Sequence, residues 1–151
     1  MRDEDFHVRR VSPADVPRYL KAADVAVSFI KPCYSKLSSS PTKLAEYLAA
    51  GLPVVCNAGV GDVDAVVEGE RVGVIVRELN AEAYGAALKE VAALGREPGL
   101  AERCRAAARR RFDLKTVGDP RYRRLYRRLL GTEGVEPVGT GRAALSPSGE
   151  P

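Results

Sequence analysis

With 151 residues, 45% of them hydrophobic, the chain can bury one core, and its length predicts a single domain with tails. Three widely spaced cysteines and a single histidine, His7, argue against a disulfide framework and against a structural zinc site. The formal charge of +4 is unevenly spread: from Arg103 to Arg128, ten arginines and Lys115 face only Asp113 and Asp119, so this stretch carries +9 and the rest −5. The start, Met1-Arg-Asp-Glu-Asp, lacks the apolar run of a secretion signal, and no segment approaches the ~20 apolar residues of a membrane span. A cytoplasmic location is expected, with peripheral membrane contact as an option.

In chain order, residues 1–7 read as a loose, polar start, and Val8–Val11 as a short strand. Ser12-Pro13 opens a helix running to about Ala23, with Ser12 as N-cap. Asp24–Ile30 is an apolar, valine-rich run of strand length, followed by a loop from Lys31. A helix over residues 41–50 has a strong start and stop, with Ser40 as N-cap, Pro41 at the first helical position, and Gly51 then Pro53 ending it. Leu52–Cys56 is the next strand, and Cys56 within it reads as a small buried hydrophobe. Asn57–Asp62 is a turn cluster, Asp62–Glu68 a short helix closed by Gly69, and Gly73–Val76 a further strand. Beyond Asn80 the pattern turns helical, with helices from Asn80 to about Leu94, from Pro98 to Phe112, and from Asp119 to near Leu130. Tyr84, Leu88, Val91 and Leu94 are the expected buried stripe of the first of these. Residues 131–151, rich in Gly, Pro and Ser, read as a disordered tail.

Short apolar strands alternating with helices predict an α/β fold: a Rossmann-like parallel sheet with helices on both faces. Ligands in such sheets sit beyond the carboxyl ends of the strands, where the next helix begins. Two loops occupy that position, Lys31–Ser40 and Asn57–Asp62. The first ends in Ser38, Ser39 and Ser40, directly before a helix whose free N-terminal amides and dipole favour an anion. Thr42 and Lys43 lie in that first turn, and Lys43 adds a positive charge. Glu46, one turn further, can accept hydrogen bonds from sugar hydroxyls; alternatively it is a solvated helix glutamate paired with Lys43 or Lys36. Gly59-Val-Gly61-Asp62 lacks the third glycine of a dinucleotide fingerprint, so no nicotinamide site is read there. That loop is an ordinary turn, or one that approaches a nucleotide base or a neighbouring lobe.

The run Ser40-Pro-Thr-Lys-Leu-Ala-Glu-Tyr-Leu-Ala-Ala-Gly-Leu-Pro-Val-Val55 resembles the donor-binding helix of the retaining, group-one glycosyltransferases, whose GT-B architecture has two Rossmann-like lobes. The resemblance implies that residues 8–130 form a C-terminal, nucleotide-sugar-binding lobe of such an enzyme, incomplete as a GT-B lobe and inactive without an N-terminal one. It implies further that Glu46 holds the nucleotide ribose, and that Ser38, Ser39, Ser40, Thr42 and Lys43 surround the diphosphate and donor sugar. Ser38 stands where many members carry a second glutamate. The substrate is then a nucleotide-diphosphate sugar, with no cofactor and no metal expected, and the catalytic residues remain unknown.

Two further readings stand beside this one. The first is a non-catalytic nucleotide-sugar-binding or interaction module, which Ser38 and the absent lobe favour. The second is an Arg-rich membrane or nucleic-acid adaptor. Arg121–Leu130 places Tyr122, Leu125, Tyr126 and Leu129 on one helix face amid arginines, a pattern suited to packing on its own domain or to an anionic membrane surface. Arg clustered with Tyr is also an electrostatic footprint for nucleic acid, but no recognised nucleic-acid motif accompanies it.

Overall fold

A computed structural model describes residues 6–131. Three short strands, β1 (Ala26–Ser28), β2 (Val54–Asn57) and β3 (Gly73–Val76), form one parallel sheet in the order β1-β2-β3. Six α-helices accompany them among the described residues: α1 (Val16–Leu20), α2 (Thr42–Ala50), α3 (Val63–Gly69), α4 (Ala81–Leu94), α5 (Leu100–Phe112) and α6 (Asp119–Leu129). This is the expected Rossmann-like arrangement.

The topology explains which helix covers which face. Both crossovers step in the same direction across the sheet, and connections of one hand then leave their helices on one side. Accordingly Leu44 and Leu48 of α2 and Val63, Val66 and Val67 of α3 share a core with Ala26, Val54, Cys56, Val72 and Ile75. After β3 the chain changes sides, and Ala87 and Val91 of α4 pack on Val55, Val74 and Val76. The chain then returns, and α5 lays Leu100, Cys104, Ala107 and Ala108 into the first core against α2. All four residues of β2 are buried, as the central strand of a sheet covered on both faces requires. Backbone approach is close enough at Gly73 that a Cβ would stand 2.0 Å from the Val54 carbonyl oxygen.

Several sequence expectations are corrected. Val8–Val11 is not a strand: residues 6–11 run irregularly at the surface, with Val8 88% exposed, because no ladder partner stands beside them. The outer edge of β1 is unpaired among the described residues. The helix expected from Ser12 starts at Val16 and ends at Leu20; Ser12 instead forms a turn, its hydroxyl donating to Asp15 at 2.7 Å. The inner stripe of α4 is Ala83, Ala87 and Val91, leaving Tyr84 38% and Leu88 58% exposed. Small side chains at four-residue spacing let that helix lie close to the sheet, which a Tyr–Leu stripe would hold away. Tyr84 instead meets Phe29 edge to face, with ring centroids 5.4 Å apart.

A π turn at Leu114–Gly118, which the sequence did not announce, separates α5 from α6. Asp113 anchors it by accepting from the Lys115 and Thr116 amides and the Thr116 hydroxyl, and these bonds hold the carboxyl below its usual range. Packing of α6 on its own domain is likewise corrected. None of its residues is buried, and among the described residues it packs chiefly on the π turn that precedes it. The expectations for residues 1–5 and 132–151 lie outside the described residues.

Candidate functional site

The carboxyl ends of β1 and β2 open toward the N-terminus of α2, where an open parallel sheet places its ligands. Asn57, at 2% exposure the one fully buried polar residue among those described, ties the two strand ends together. Its Oδ1 accepts from the Ile30 amide at 2.7 Å, in place of the next carbonyl of the ladder, and its Nδ2 donates to the Ala58 carbonyl at 3.0 Å. The sequence marked Asn57 only as a turn residue. Its position at the last step of a buried strand is the signal that could have singled it out.

The first turn of α2 differs from expectation by one residue. Pro41, not Ser40, occupies the N-cap, with extended φ −66° and ψ 120°. Ser40 therefore points into solvent and caps nothing, and no side chain bonds the start of the helix. The Leu44 amide reaches the Pro41 carbonyl at 3.1 Å, and the amides of Thr42 and Lys43 precede any available intrahelical carbonyl. The helix terminus thus keeps donors and positive dipole for an outside group. At the far end Gly51, in the left-handed region at φ +88°, closes the helix as expected.

Beside this terminus lies an open cavity of about 380 Å³, lined by Phe29 and Ile30 beyond β1, by Ser39 and Pro41, and by Thr42, Lys43 and Tyr47. Burial, and then the neighbouring Glu46 charge, push the Tyr47 phenol up, so at neutral pH its hydroxyl is a neutral donor. Of the six residues singled out in the sequence, Ser39, Thr42 and Lys43 meet here. Ser38 and Ser40 do not line it, and the Ser38 hydroxyl lies 3.5 Å from the Ser35 carbonyl. Glu46 stands four residues along the axis from Thr42, about 6 Å away. It is exposed and lines two other grooves. One, of about 530 Å³, runs between α1 and α2 past Val11, Pro17 and Leu20; the other, of about 390 Å³, runs between α2 and α5 past Arg105, Arg109 and Phe112. The structure therefore does not gather all six residues into one pocket. It arranges them along a line, with an anion-favouring helix end first and a carboxylate one turn behind. Neither Lys43 nor Lys36 forms an ion pair with Glu46 among the described residues, so the salt-bridge alternative does not occupy that carboxylate.

On α5 the charges are paired. The α5 arginines serve its packing: Arg103 pairs with Glu97, Arg105 and Arg109 with Glu102, and Arg110 and Arg111 with Glu70. Cys56 and Cys104 are buried, and burial pushes both thiols up to about 11. Among the described residues, no three His, Cys, Asp or Glu side chains are grouped to hold a metal ion. No helix there is long and apolar enough to cross a membrane.

Comparison with known proteins agrees with this geometry. No curated protein matches the chain. Among solved structures, a sucrose-phosphate synthase from Thermosynechococcus elongatus superposes with a TM-score of 0.55 at 24% identity, over 76% of this chain and 27% of that one. That likeness shows the fold, and the present chain spans about a quarter of the synthase's length. Residues 3–93, more than half of the chain, match the family described as glycosyl transferases, group 1. The stretch takes in β1, β2, β3 and the whole cavity at the start of α2, and the chain belongs to that family.

Proposed function

We propose that this chain binds the nucleotide-diphosphate sugar of a retaining glycosyltransferase, with the diphosphate at the start of α2 and the ribose against Glu46. The observation that carries this reading is the uncapped terminus of α2 opening on a cavity edged by Ser39, Thr42 and Lys43, with an unpaired carboxylate one turn behind. A diphosphate and the adjoining pentose are separated by a few ångströms, comparable to the ~6 Å from the first turn of α2 to Glu46. The base then falls toward the apolar groove between α1 and α2, which Glu46 borders.

In the reaction, the bond between the sugar's anomeric carbon and the diphosphate oxygen breaks through an oxocarbenium-like transition state. A bond from that carbon to the acceptor oxygen forms on the same face, and the acceptor's proton passes to the departing diphosphate oxygen. Negative charge grows on the departing diphosphate, where the amides of Thr42 and Lys43 and the Lys43 ammonium stabilise it. Ser39 and the Tyr47 hydroxyl are further donors in reach of the cavity. The acceptor, and residues close to the reacting carbon, come from a second lobe. This chain has two surfaces to offer such a lobe, the unpaired edge of β1 and the bare face of α6. Alone, the chain binds nucleotide without turnover.

A second contact is proposed for α6 itself. Its exposed Tyr122, Leu125, Tyr126 and Leu129, set among arginines, suit an anionic membrane surface.

A thermal-shift panel tests the donor reading. UDP or GDP is expected to raise the melting temperature, and Glu46→Ala to weaken nucleoside diphosphate binding about tenfold, while inorganic pyrophosphate binding falls much less. Equal loss for both ligands would show that Glu46 does not hold the ribose. Stabilisation by RNA and by no nucleoside diphosphate would replace the reading with the nucleic-acid one.

A further inference from the structure

The loop from Phe29 to Pro41 lines one side of the candidate diphosphate seat, yet its only regular element is a 3-10 turn at Tyr34–Lys36. A long exposed connection of this kind is mobile unless its neighbours tie it down. It is tied at both ends by the loop that follows β2. At its start the Ile30 amide is held by Asn57. At its end, Gly61 meets the backbone of Ser39. A Cβ on Gly61 would lie 1.7 Å from the Ser39 carbonyl oxygen, 2.7 Å from its carbonyl carbon and 3.2 Å from its nitrogen. Gly61 also adopts φ +51°, in the left-handed region. Gly59 provides an internal comparison, because it too has positive φ, +79°, but nothing lies within 4 Å of its missing Cβ. Gly59 is required by the turn alone. Gly61 is required by the turn and by Ser39.

We propose that Gly61 is a positioning residue for the diphosphate seat, holding Ser39 and the Ser40–Pro41 turn so that the amides of Thr42 and Lys43 face the cavity. What the seat holds rests on the donor reading above; how Gly61 holds the seat does not. Any side chain at Gly61 must drive the Ser39 backbone away by more than an ångström to reach an ordinary contact distance. Charge stabilisation by fixed donors is sensitive to displacements of that size. No local pattern ranks Gly61 above Gly59, because the contact joins loops far apart in the chain.

Gly61→Ala and Gly59→Ala in the full chain separate contact from backbone strain, since both place a Cβ at positive φ. Amide NMR spectra without ligand are expected to show Ser39, Ser40, Thr42 and Lys43 shifted in Gly61→Ala and unmoved in Gly59→Ala. UDP titration is expected to show at least about tenfold weaker binding in Gly61→Ala, with Gly59→Ala within twofold of the parent although both melt at lower temperature. Unmoved Ser39–Lys43 amides in Gly61→Ala overturn the proposal, as does equal loss of UDP binding in the two variants. If Gly61→Ala does not fold, the hydrogen-exchange rate of the Ser39 amide in the parent, which donates to the Lys36 carbonyl, replaces it, and rapid, unprotected exchange of a loosely held turn overturns the idea. A parent chain that binds no nucleoside diphosphate defeats the donor reading, whereas the ligand-free spectra still decide whether Gly61 fixes the loop.

Discussion

Cysteine chemistry shows how far the environment of single residues sets their behaviour. Cys33 is exposed and its Sγ lies 3.3 Å from the Ser35 hydroxyl, which, with the Lys36 charge, lowers its thiol below the usual range. Cys56 and Cys104 lie in the core, where burial raises their thiols to about 11. A thiolate, not a thiol, attacks a disulfide reagent. Ellman titration at pH 8 should therefore find one fast thiol in the folded chain, lost in Cys33→Ser, and the other two only after denaturation. Two fast thiols would mean that the α5–sheet core opens readily. Asn57 presents the opposite case, a buried polar group whose value lies in being fully used. Removing it leaves the Ile30 amide without its acceptor, a loss of about 1–3 kcal/mol for a buried unsatisfied donor.

Among the elements, α3 and α5 are joined by an ionic clasp. Glu70, with only 11% of its side chain exposed, accepts from both Arg110 and Arg111, and those hydrogen bonds hold its carboxyl below the usual glutamate range. A carboxyl lowered on folding contributes in full above its unfolded value, about 4.3, and that contribution is lost as pH falls through the lower folded value. Glu70→Gln should therefore cost on the order of 1 kcal/mol at pH 7, and the two proteins should converge in stability well below pH 4. Denaturant midpoints across that range measure it, and a constant difference down to pH 2 would assign the loss to packing instead. The element α6 behaves differently, because its apolar face contributes nothing to the core. Changing Leu125 and Tyr126 together to aspartate should leave the melting temperature within about 2 °C, as for surface substitutions. The same change should abolish co-sedimentation with phosphatidylglycerol-containing vesicles, on which the parent binds more strongly than on pure phosphatidylcholine. Equal binding to both vesicle types, or to neither, removes the membrane contact and leaves that face to a protein partner.

At the scale of the whole molecule, three strands and their helices form a covered sheet with no neighbour on the β1 side among the described residues. Beside that edge Val27 and Phe29 are 53% and 44% exposed, since α4 packs chiefly over β2 and β3 and meets Phe29 through Tyr84. Membership of the group 1 glycosyl transferases was legible in the chain because one compact run, Ser40 to Val55, encodes a loop, a helix and a buried strand in succession. Local rules of that kind are complete in the sequence: Asn80 caps α4 through the Ala83 amide, Gly51 ends α2, and Gly73–Val76 forms a strand with the bounds its valines suggest. Elements whose existence depends on a distant partner were not legible. Val8–Val11 has strand composition but no ladder to join, and Leu88 of α4 and the tyrosines and leucines of α6 have helical spacing but stand exposed. The sequence alone thus determined the order and type of the strands and α-helices from β1 to α6, including the helix that begins the candidate site, because propensity, capping and short-range periodicity act between near neighbours. Only the tertiary structure decided that Ser39 rests on Gly61, that Asn57 holds Ile30, and that Glu46 stands one turn behind the cavity, because contacts between separate loops follow from how the strands are stacked and leave no periodic trace in the chain.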